Sequence, residues 1–437
     1  MRSPSLCLLA AIAAMAVTAS DVKGRVFNRF VTIWLENTDY DKAAGDPNLS
    51  WLAKKGILLS NYFAVTHPSE PNYVASVGGE YFGMNNDDMN KLPANISSVA
   101  DLLEGKGISW GEYQEDMPYT GFTGNEYRNQ QTQANAYVRK HNPLVIFNSV
   151  ADVPERLANI KNLTLFWSDL EAQDLPQWIF ITPNMTSDGH DTSVTVAGAW
   201  TRSFLEPLLA NDYFMKDTLI LVTFDENHTY TRPNRVVGIL LGGAVPESVH
   251  GTTDNNYYDH YSEISTIEAN WDLHTLGRYD VGANVFSLVA NKTKDVVRKH
   301  SNLDGVYLNE SYPGIFHRKK WAPQPVPNTS LNINGRSVLP SVVKTWGGDE
   351  NQKQTVYGGD LEIPSAANRP KVRKNSEGQS SNSSSNSSSP SSPSGPPNPS
   401  PSSGPSQSLD SRPSGAMRYL SDISCIWLVV LLVMAFV

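Results

Sequence analysis

Two runs of mainly apolar, β-branched residues constrain the fold of this chain more than any other feature. Residues 30–35 read FVTIWL and residues 219–224 read LILVTF, and neither run alternates between polar and apolar positions. A strand that is covered on both faces by helices has this pattern, because neither face meets water, and such strands are typical of mostly parallel sheets. The runs therefore predict two buried strands of an α/β protein.

Acidic and amide side chains follow both runs. Glu36 and Asn37 come after the first run, and Asp225, Glu226 and Asn227 come after the second. Ligand sites in parallel sheets lie at the carboxyl ends of the strands. Three carboxylates with amides are hard oxygen ligands that suit a divalent cation, whose charge would offset their repulsion. These residues alone leave open the alternative that each cluster only opens a turn.

Further elements extend the α/β pattern between and around the two runs. Strand-like runs cover residues 108–113, 178–182 and 236–241, and amphipathic helical stretches cover residues 49–55, 99–104, 200–210 and 262–273. Strands that alternate with helices predict an α/β fold with a mostly parallel central sheet sandwiched by helices. The order of the strands in the sheet is not predicted.

The two ends of the chain predict processing and anchoring. Residues 1–19 have the charged start, apolar stretch and small-residue exit of a secretory signal peptide. Residues 20–365 form the predicted catalytic domain, and residues 366–414 a disordered stalk rich in Ser, Pro and Asn. Residues 415–437, small residues and a spacer before an apolar tail, resemble a GPI-anchor signal that is removed on maturation. A plain transmembrane tail is the alternative.

Composition narrows the partners and the compartment. A formal charge of -9 and the absence of a Lys/Arg cluster argue against a nucleic-acid partner and favour a small substrate or a surface. Ten sequons, among them Asn95 and Asn309, support passage through the secretory pathway. Cys7 and Cys425 both lie in segments expected to be removed, so the mature protein should contain no disulfide.

Ser69 is the candidate nucleophile. It stands in Ser-Glu-Pro-Asn-Tyr, where it is predicted to be the N-cap of a helix with Glu70 and Pro71 in the first turn. A hydroxyl at the positive end of a helix and next to a metal is suited to nucleophilic attack and to phosphate binding. An ordinary helix cap is the alternative.

Three histidines are candidates for metal binding or proton donation. His190 lies in a loop between two carboxylates after the predicted strand 178–182, and His260 precedes a helix. Either ring could bind a metal, or, as imidazolium, donate to a phosphoryl or leaving-group oxygen. His141, in Lys-His-Asn-Pro, is a weaker candidate, and a structural role is the alternative for all three.

Taken as a set and in order, these motifs resemble one family. Leu-Glu-Asn at 35–37, Ser-Glu-Pro-Asn-Tyr at 69–73, the loop 183–191, Phe-Asp-Glu at 224–226 and His-Tyr-Ser at 260–262 resemble the phosphoesterase family that contains fungal secreted acid phosphatases and bacterial phospholipases C. That family belongs to the alkaline-phosphatase-like superfamily. The Ser-Glu-Pro-Asn-Tyr form is similar to the acid phosphatase branch, since the phospholipase branch usually has Thr-His-Pro-Asn there.

The resemblance implies roles for individual residues. By it, Glu36, Asn37, Ser69, Asp225 and Glu226 would bind a divalent metal ion of unknown identity. Ser69 would be the nucleophile that becomes phosphorylated, Asn72 would hold a phosphate oxygen, and His190 would lie at the rim of the site. The chain shows fewer histidines at matching places than the two-zinc alkaline phosphatases, so one metal or two both remain open.

The sequence thus predicts a secreted acid phosphatase, anchored through GPI to the plasma membrane or cell wall. It would hydrolyse small phosphate monoesters by a metal-assisted phosphoserine route. A phosphodiesterase or phospholipase C with the same centre, and a non-catalytic GPI-anchored wall glycoprotein, are the alternatives. The natural ester and the oligomeric state are not predicted.

Overall fold

The computed structural model describes residues 21–300, 303, 306–355 and 357. All of them belong to the first of two units of the chain, Met1–Asn375. The predicted signal peptide, stalk and anchor signal lie outside the described residues. Within the described residues, every helix is too short or too polar to cross a bilayer.

The strands form one large sheet and two small hairpins. In chain order they are β1 Arg29–Leu35, β2 Ile57–Phe63, β3 Trp110–Gln114, β4 Glu126–Arg128, β5 Asn135–Val138, β6 Ile160–Asn162, β7 Trp178–Thr182, β8 Thr218–Phe224, β9 Arg235–Leu241, β10 Thr252–Asp259, β11 Asn332–Ile333 and β12 Arg336–Ser337. The large sheet has eight strands in the order β10-β2-β9-β8-β1-β7-β3-β6. β4 pairs with β5 and β11 with β12.

The large sheet is parallel apart from one strand. β1 lies between β7 and β8 and is parallel to both, while β9 is antiparallel to its neighbours β2 and β8. The remaining pairs of the sheet are parallel. Seven strands therefore point the same way, and their carboxyl ends share one edge of the sheet.

Helices connect these strands. They are α1 Tyr40–Gly45, α2 Pro47–Ala53, α3 Ser69–Gly78, α4 Val99–Glu104, α5 Asn148–Ala151, α6 Pro154–Leu157, α7 Thr164–Glu171, α8 Val194–Leu208, α9 Asp212–Met215, α10 Tyr261–Trp271, α11 Tyr279–Gly282, α12 Ser287–Thr293, α13 Pro340–Trp346 and α14 Asp349–Gln352. Short 3-10 helices cover Arg139–His141, Leu144–Ile146 and Glu247–Val249.

The central strands are buried on both faces. Every residue of β1 and of β8 is buried, and their apolar side chains belong to one core cluster. Side chains of a strand point alternately to the two faces of a sheet, so complete burial requires cover on both. The predicted α/β class, a mostly parallel sheet flanked by helices, is confirmed.

Two strands of the sheet were not predicted, because their sequences are polar. β2 carries Ser60 and Asn61, and β10 reads TTDNNYYD and lies at the edge of the sheet. Backbone pairing between these two strands outweighs the poor strand propensity of Asp and Asn. The predicted strand 108–113 is observed as β3, two residues later at its start, and the predicted helix 200–210 begins earlier, as α8.

Candidate functional site

The ends of β1 and β8 meet, as the two acidic clusters predicted. The backbone N–H of Asn37 donates to Oδ1 of Asp225 over 2.9 Å, and the N–H of Asp225 donates to the carbonyl of Leu35 over 2.9 Å. Asn37 takes a left-handed conformation with φ of 44°, which Asn tolerates better than most residues. The turn after β1 therefore brings Glu36 next to Asp225.

Ser69 lies beside Glu36 at the start of α3. Its Oγ donates to Oε2 of Glu36 over 3.3 Å, and the hydroxyl of Tyr73, one turn along the helix, donates to Oε1 over 2.6 Å. The prediction that Ser69 is the N-cap is wrong by one position: Pro68 is the cap and Ser69 is the first helical residue. The hydroxyl still lies at the N-terminus of the helix and is buried.

Two residues that the sequence did not rank highly complete this side of the site. Nε2 of His141 is 3.1 Å from Oε1 of Glu36, and Nδ1 is 3.6 Å from Oδ2 of Asp188. One ligand atom from each of these three buried residues lies within 4.8 Å of the others. The position of Asp188 after β7 could have identified it, whereas His141 lies in a 3-10 helix that no strand pattern marks.

Several atoms of this group fit a cation. In the part of the chain that the structure describes, Oδ2 of Asp188 and both ring nitrogens of His141 are buried without a hydrogen bond, the 3.1 Å approach to Glu36 lacking suitable geometry. Buried polar atoms normally have partners, so unpaired ones call for another ligand. Carboxylate oxygens with one imidazole are a donor set that divalent metals accept.

Burial and mutual repulsion dominate the electrostatics of the site. Burial raises the pKa of the Glu36 carboxyl well above its usual value, and the nearby Asp225 and Asp188 raise it further. Burial likewise raises the pKa of Asp188 and of Asp225. Burial lowers the pKa of His141 well below its usual value, and Lys140 lowers it further. The imidazole is therefore neutral, which is the form that binds metals.

The other predicted ligand, Glu226, lies among a different set of side chains. Its Oε2 is 2.7 Å from Nδ1 of His67, and its Oε1 accepts from the Tyr230 hydroxyl over 3.3 Å. The rings of His67 and Tyr230 stack at 3.7 Å. Burial lowers the pKa of His67 to about 4. Sequence reasoning missed both residues, although His67 stands two positions before Ser69.

Asn72 holds the loop before α3. Its Oδ1 accepts from the N–H groups of Val65 and Thr66, at 2.9 and 3.2 Å. Its Nδ2 donates to the carbonyls of Thr66 and Pro68 and lies 3.4 Å from Oε2 of Glu226. These contacts position the loop that carries Ser69, while the predicted contact with a phosphate oxygen stays a prediction.

The two predicted histidines occupy different places. His190 is exposed, its Nδ1 lies 2.8 Å from Oδ1 of Asp191, and its ring centre is 6.1 Å from that of His141, so it lies at the rim. His260 is fully buried, and its Nε2 donates to the carbonyl oxygen of Asp225 over 2.7 Å. The structure thus places His260 behind the backbone of Asp225, where it positions that residue.

Comparisons with known proteins agree on one family. The Phosphoesterase family model matches residues 46–274. A probable acid phosphatase of Kluyveromyces lactis is 53% identical over 357 residues, which cover 80% of this chain and 84% of that protein. A phosphate-repressible acid phosphatase of Penicillium chrysogenum is 55% identical over 329 residues, with 74% and 78% covered. A solved structure in the alkaline phosphatase superfamily from Vibrio parahaemolyticus overlaps with a TM-score of 0.36 at 10% identity, covering 56% of this chain and 66% of that one.

Proposed function

Because the chain belongs to the Phosphoesterase family, we propose that it is an acid phosphatase that hydrolyses small phosphate monoesters through a phosphoserine formed on Ser69. Acid phosphatases that are about half identical to it over most of their length support the reaction class. The residues of the site support the route.

The observation that carries the proposal is the position of the Ser69 hydroxyl. It is buried at the first turn of α3 and donates to Glu36, which also lies in the group formed with His141 and Asp188. A helix N-terminus presents unpaired N–H groups that suit a phosphate. Nucleophile, phosphate-binding helix end and candidate metal ligands are therefore next to each other.

A bound divalent cation would stabilise the alkoxide of the nucleophile and the charge on the phosphate oxygens. Glu36, Asp188, His141 and Asp225 would hold it, with Asn37 and Glu226 alongside. In the first step Oγ of Ser69 bonds to phosphorus, its proton passes to Oε2 of Glu36, and the bond from phosphorus to the ester oxygen breaks. The Tyr73 hydroxyl keeps the Glu36 carboxylate oriented throughout.

The leaving alcohol needs a proton, and the residue placed to supply it is His190. Its ring is exposed at the rim, and Asp191 at 2.8 Å favours the imidazolium. In the second step a water attacks the phosphoserine and restores the Ser69 hydroxyl. A donor of this kind is charged in acid, which agrees with the class of the relatives.

Ser69→Ala should abolish turnover of an aryl phosphate and leave the melting temperature nearly unchanged. Ser76→Ala is the matched control, because Ser76 is a buried serine on the same helix whose Oγ donates to the Tyr73 carbonyl over 2.8 Å. Retained activity in Ser69→Ala would remove the phosphoserine from the proposal. A trapped phosphoprotein, found by mass spectrometry after an acid quench of the wild type, would support it directly.

Asp225→Asn tests the metal part of the proposal. The amide keeps an oxygen for the Asn37 N–H but loses the charge, so both metal content and turnover should fall. Elemental analysis measures the metal after dialysis. An unchanged metal content would exclude Asp225 as a ligand.

We also propose that the protein is secreted and held at the cell surface by a GPI anchor. The pattern of residues 1–19 and 415–437 supports this. Release of activity from intact cells by phosphatidylinositol-specific phospholipase C, and its secretion into the medium after deletion of residues 415–437, test it. Activity that stays inside the cell in both cases would contradict it.

A further inference from the structure

Lys140 lies beside the nucleophile and has no part in the reaction described above. Its Nζ is 3.2 Å from Oδ2 of Asp87, and Oδ1 of the same carboxylate accepts from the N–H of Glu70 over 2.9 Å. One carboxylate thus joins the Lys140 ammonium to the first turn of α3, next to Ser69. The Lys140 side chain is 19% exposed, so it reaches both the site and solvent.

The neighbours of Lys140 hold it in place. Arg139, which precedes it, is buried and donates to the carbonyls of Asn90 and Val145 over 2.8 and 3.0 Å. His141, which follows it, belongs to the group of candidate metal ligands. A lysine between two fixed residues, with its ammonium bound to a carboxylate, loses little further freedom when it binds a ligand.

Charge balance gives this lysine a task. Glu36, Asp188 and Glu226 all lie close enough to Lys140 for its charge to stabilise their ionised forms, and Asp225 is similarly close. Four carboxylates, with Asp87 as a fifth, repel a phosphate dianion. One divalent cation offsets only part of that charge, so a further cation is needed at the place where the phosphate binds.

We infer that Lys140 is a further substrate-binding residue, whose ammonium, held by Asp87 at the start of α3, binds a non-bridging oxygen of the phosphate of a dianionic monoester. This inference rests on the proposed function, because it assigns a role in binding the same phosphate. It selects for monoesters, since a phosphodiester carries one negative charge fewer and gains less from the lysine.

The test compares Lys140→Met with Lys161→Met in the metal-loaded protein. Lys161 is the matched control, because it lies on the edge strand β6, is 26% exposed and pairs with Asp169 at 2.7 Å. A hydrogen bond between charged groups is typically worth a factor of about 10 to 100 in binding. Lys140→Met should raise the dissociation constant of inorganic phosphate, measured by calorimetry, by that factor, and Lys161→Met should leave it unchanged.

Turnover gives a second readout. Lys140→Met should lower kcat/KM for an aryl monoester by about 10- to 100-fold and lower it clearly less for the corresponding diester. Asp87→Asn, which keeps an acceptor for the Glu70 N–H, should act in the same direction but less, and Lys140→Arg should retain most phosphate binding.

Two results would overturn the inference. One is unchanged phosphate affinity in Lys140→Met at full metal occupancy, and the other is an equal loss for monoester and diester, which a merely structural role predicts. Phosphate binding does not depend on turnover. If the wild type binds phosphate through Lys140 but hydrolyses no monoester, the proposed function fails and the inference stands.

Discussion

A buried glutamate in the middle of the sheet links the fold to pH. Glu112 on β3 is 0% exposed; its Oε1 accepts from the N–H of Leu144 over 3.1 Å, and its Oε2 has no hydrogen bond within the described residues. Burial raises its pKa from 4.5 to about 8. The folded protein therefore prefers the protonated carboxyl, and the stability that it provides is lost as the pH rises toward about 8.

The size of the effect follows from the shift. The rise covers about three pKa units, and each unit corresponds to about 1.4 kcal/mol. Between about pH 5 and pH 8 the wild type should thus lose roughly 3 kcal/mol of unfolding free energy through this one group. Glu112→Gln keeps an oxygen for the Leu144 N–H and cannot ionise, so it should lack this loss.

Urea unfolding, followed by tryptophan fluorescence in chelator, measures the difference at several pH values. Glu112→Gln should be close to the wild type near pH 5 and more stable than it near pH 8, by roughly 3 kcal/mol. Glu171→Gln, at an exposed position of α7, is the control and should follow the wild type. If Glu112→Gln loses stability with pH as steeply as the wild type, the reasoning from burial is refuted.

Three further predictions test the site and its support. Tyr73→Phe removes the donor at 2.6 Å from Glu36 and should lower kcat about tenfold with unchanged KM in steady-state kinetics, whereas an unchanged kcat would exclude this orienting role. Because burial raises the pKa of Glu36 and Asp188, metal uptake by the metal-free protein should release protons and strengthen as the pH rises; calorimetry in buffers of different ionisation enthalpy should detect this, and buffer-independent heats would contradict it. Arg336→Met leaves the buried Asp295, paired at 2.6 Å, without its cation and should cost about 3–5 kcal/mol in urea unfolding, and a loss below 1 kcal/mol would refute this.

The parts of the site that follow strands could be predicted from the sequence. The two apolar runs are β1 and β8, which are neighbours in the sheet, and this adjacency brings the turn after Glu36 against Asp225. A run of β-branched residues that ends in carboxylates indicates both the strand and the place where its ligands lie. Ser69 followed from local helix-start residues, with an error of one position.

The remaining parts depend on contacts between distant segments. His141 reaches Glu36 from a 3-10 helix 105 positions along the chain, and no local pattern marks such an approach. His260 illustrates the opposite error. The sequence offered it as a catalytic candidate, but the folded chain buries its ring against Trp34 and turns Nε2 to the Asp225 carbonyl. Histidine identity and neighbours do not distinguish these two placements, because burial is decided by packing.

The scaffold and the candidate metal centre respond to pH in opposite directions. Burial raises the pKa of Glu263 and of Glu112 to about 8, and both are buried in the core, so acid keeps them neutral and the fold stable. Glu36 and Asp188 must instead lose their protons before they can hold a cation, and that step is favoured as the pH rises. Working pH is then bounded below by metal retention and above by unfolding. Excess metal should extend activity at the acidic side only, and Glu112→Gln should extend it at the alkaline side only. If one of them widened both limits, the two sides would share one cause and this division would be wrong.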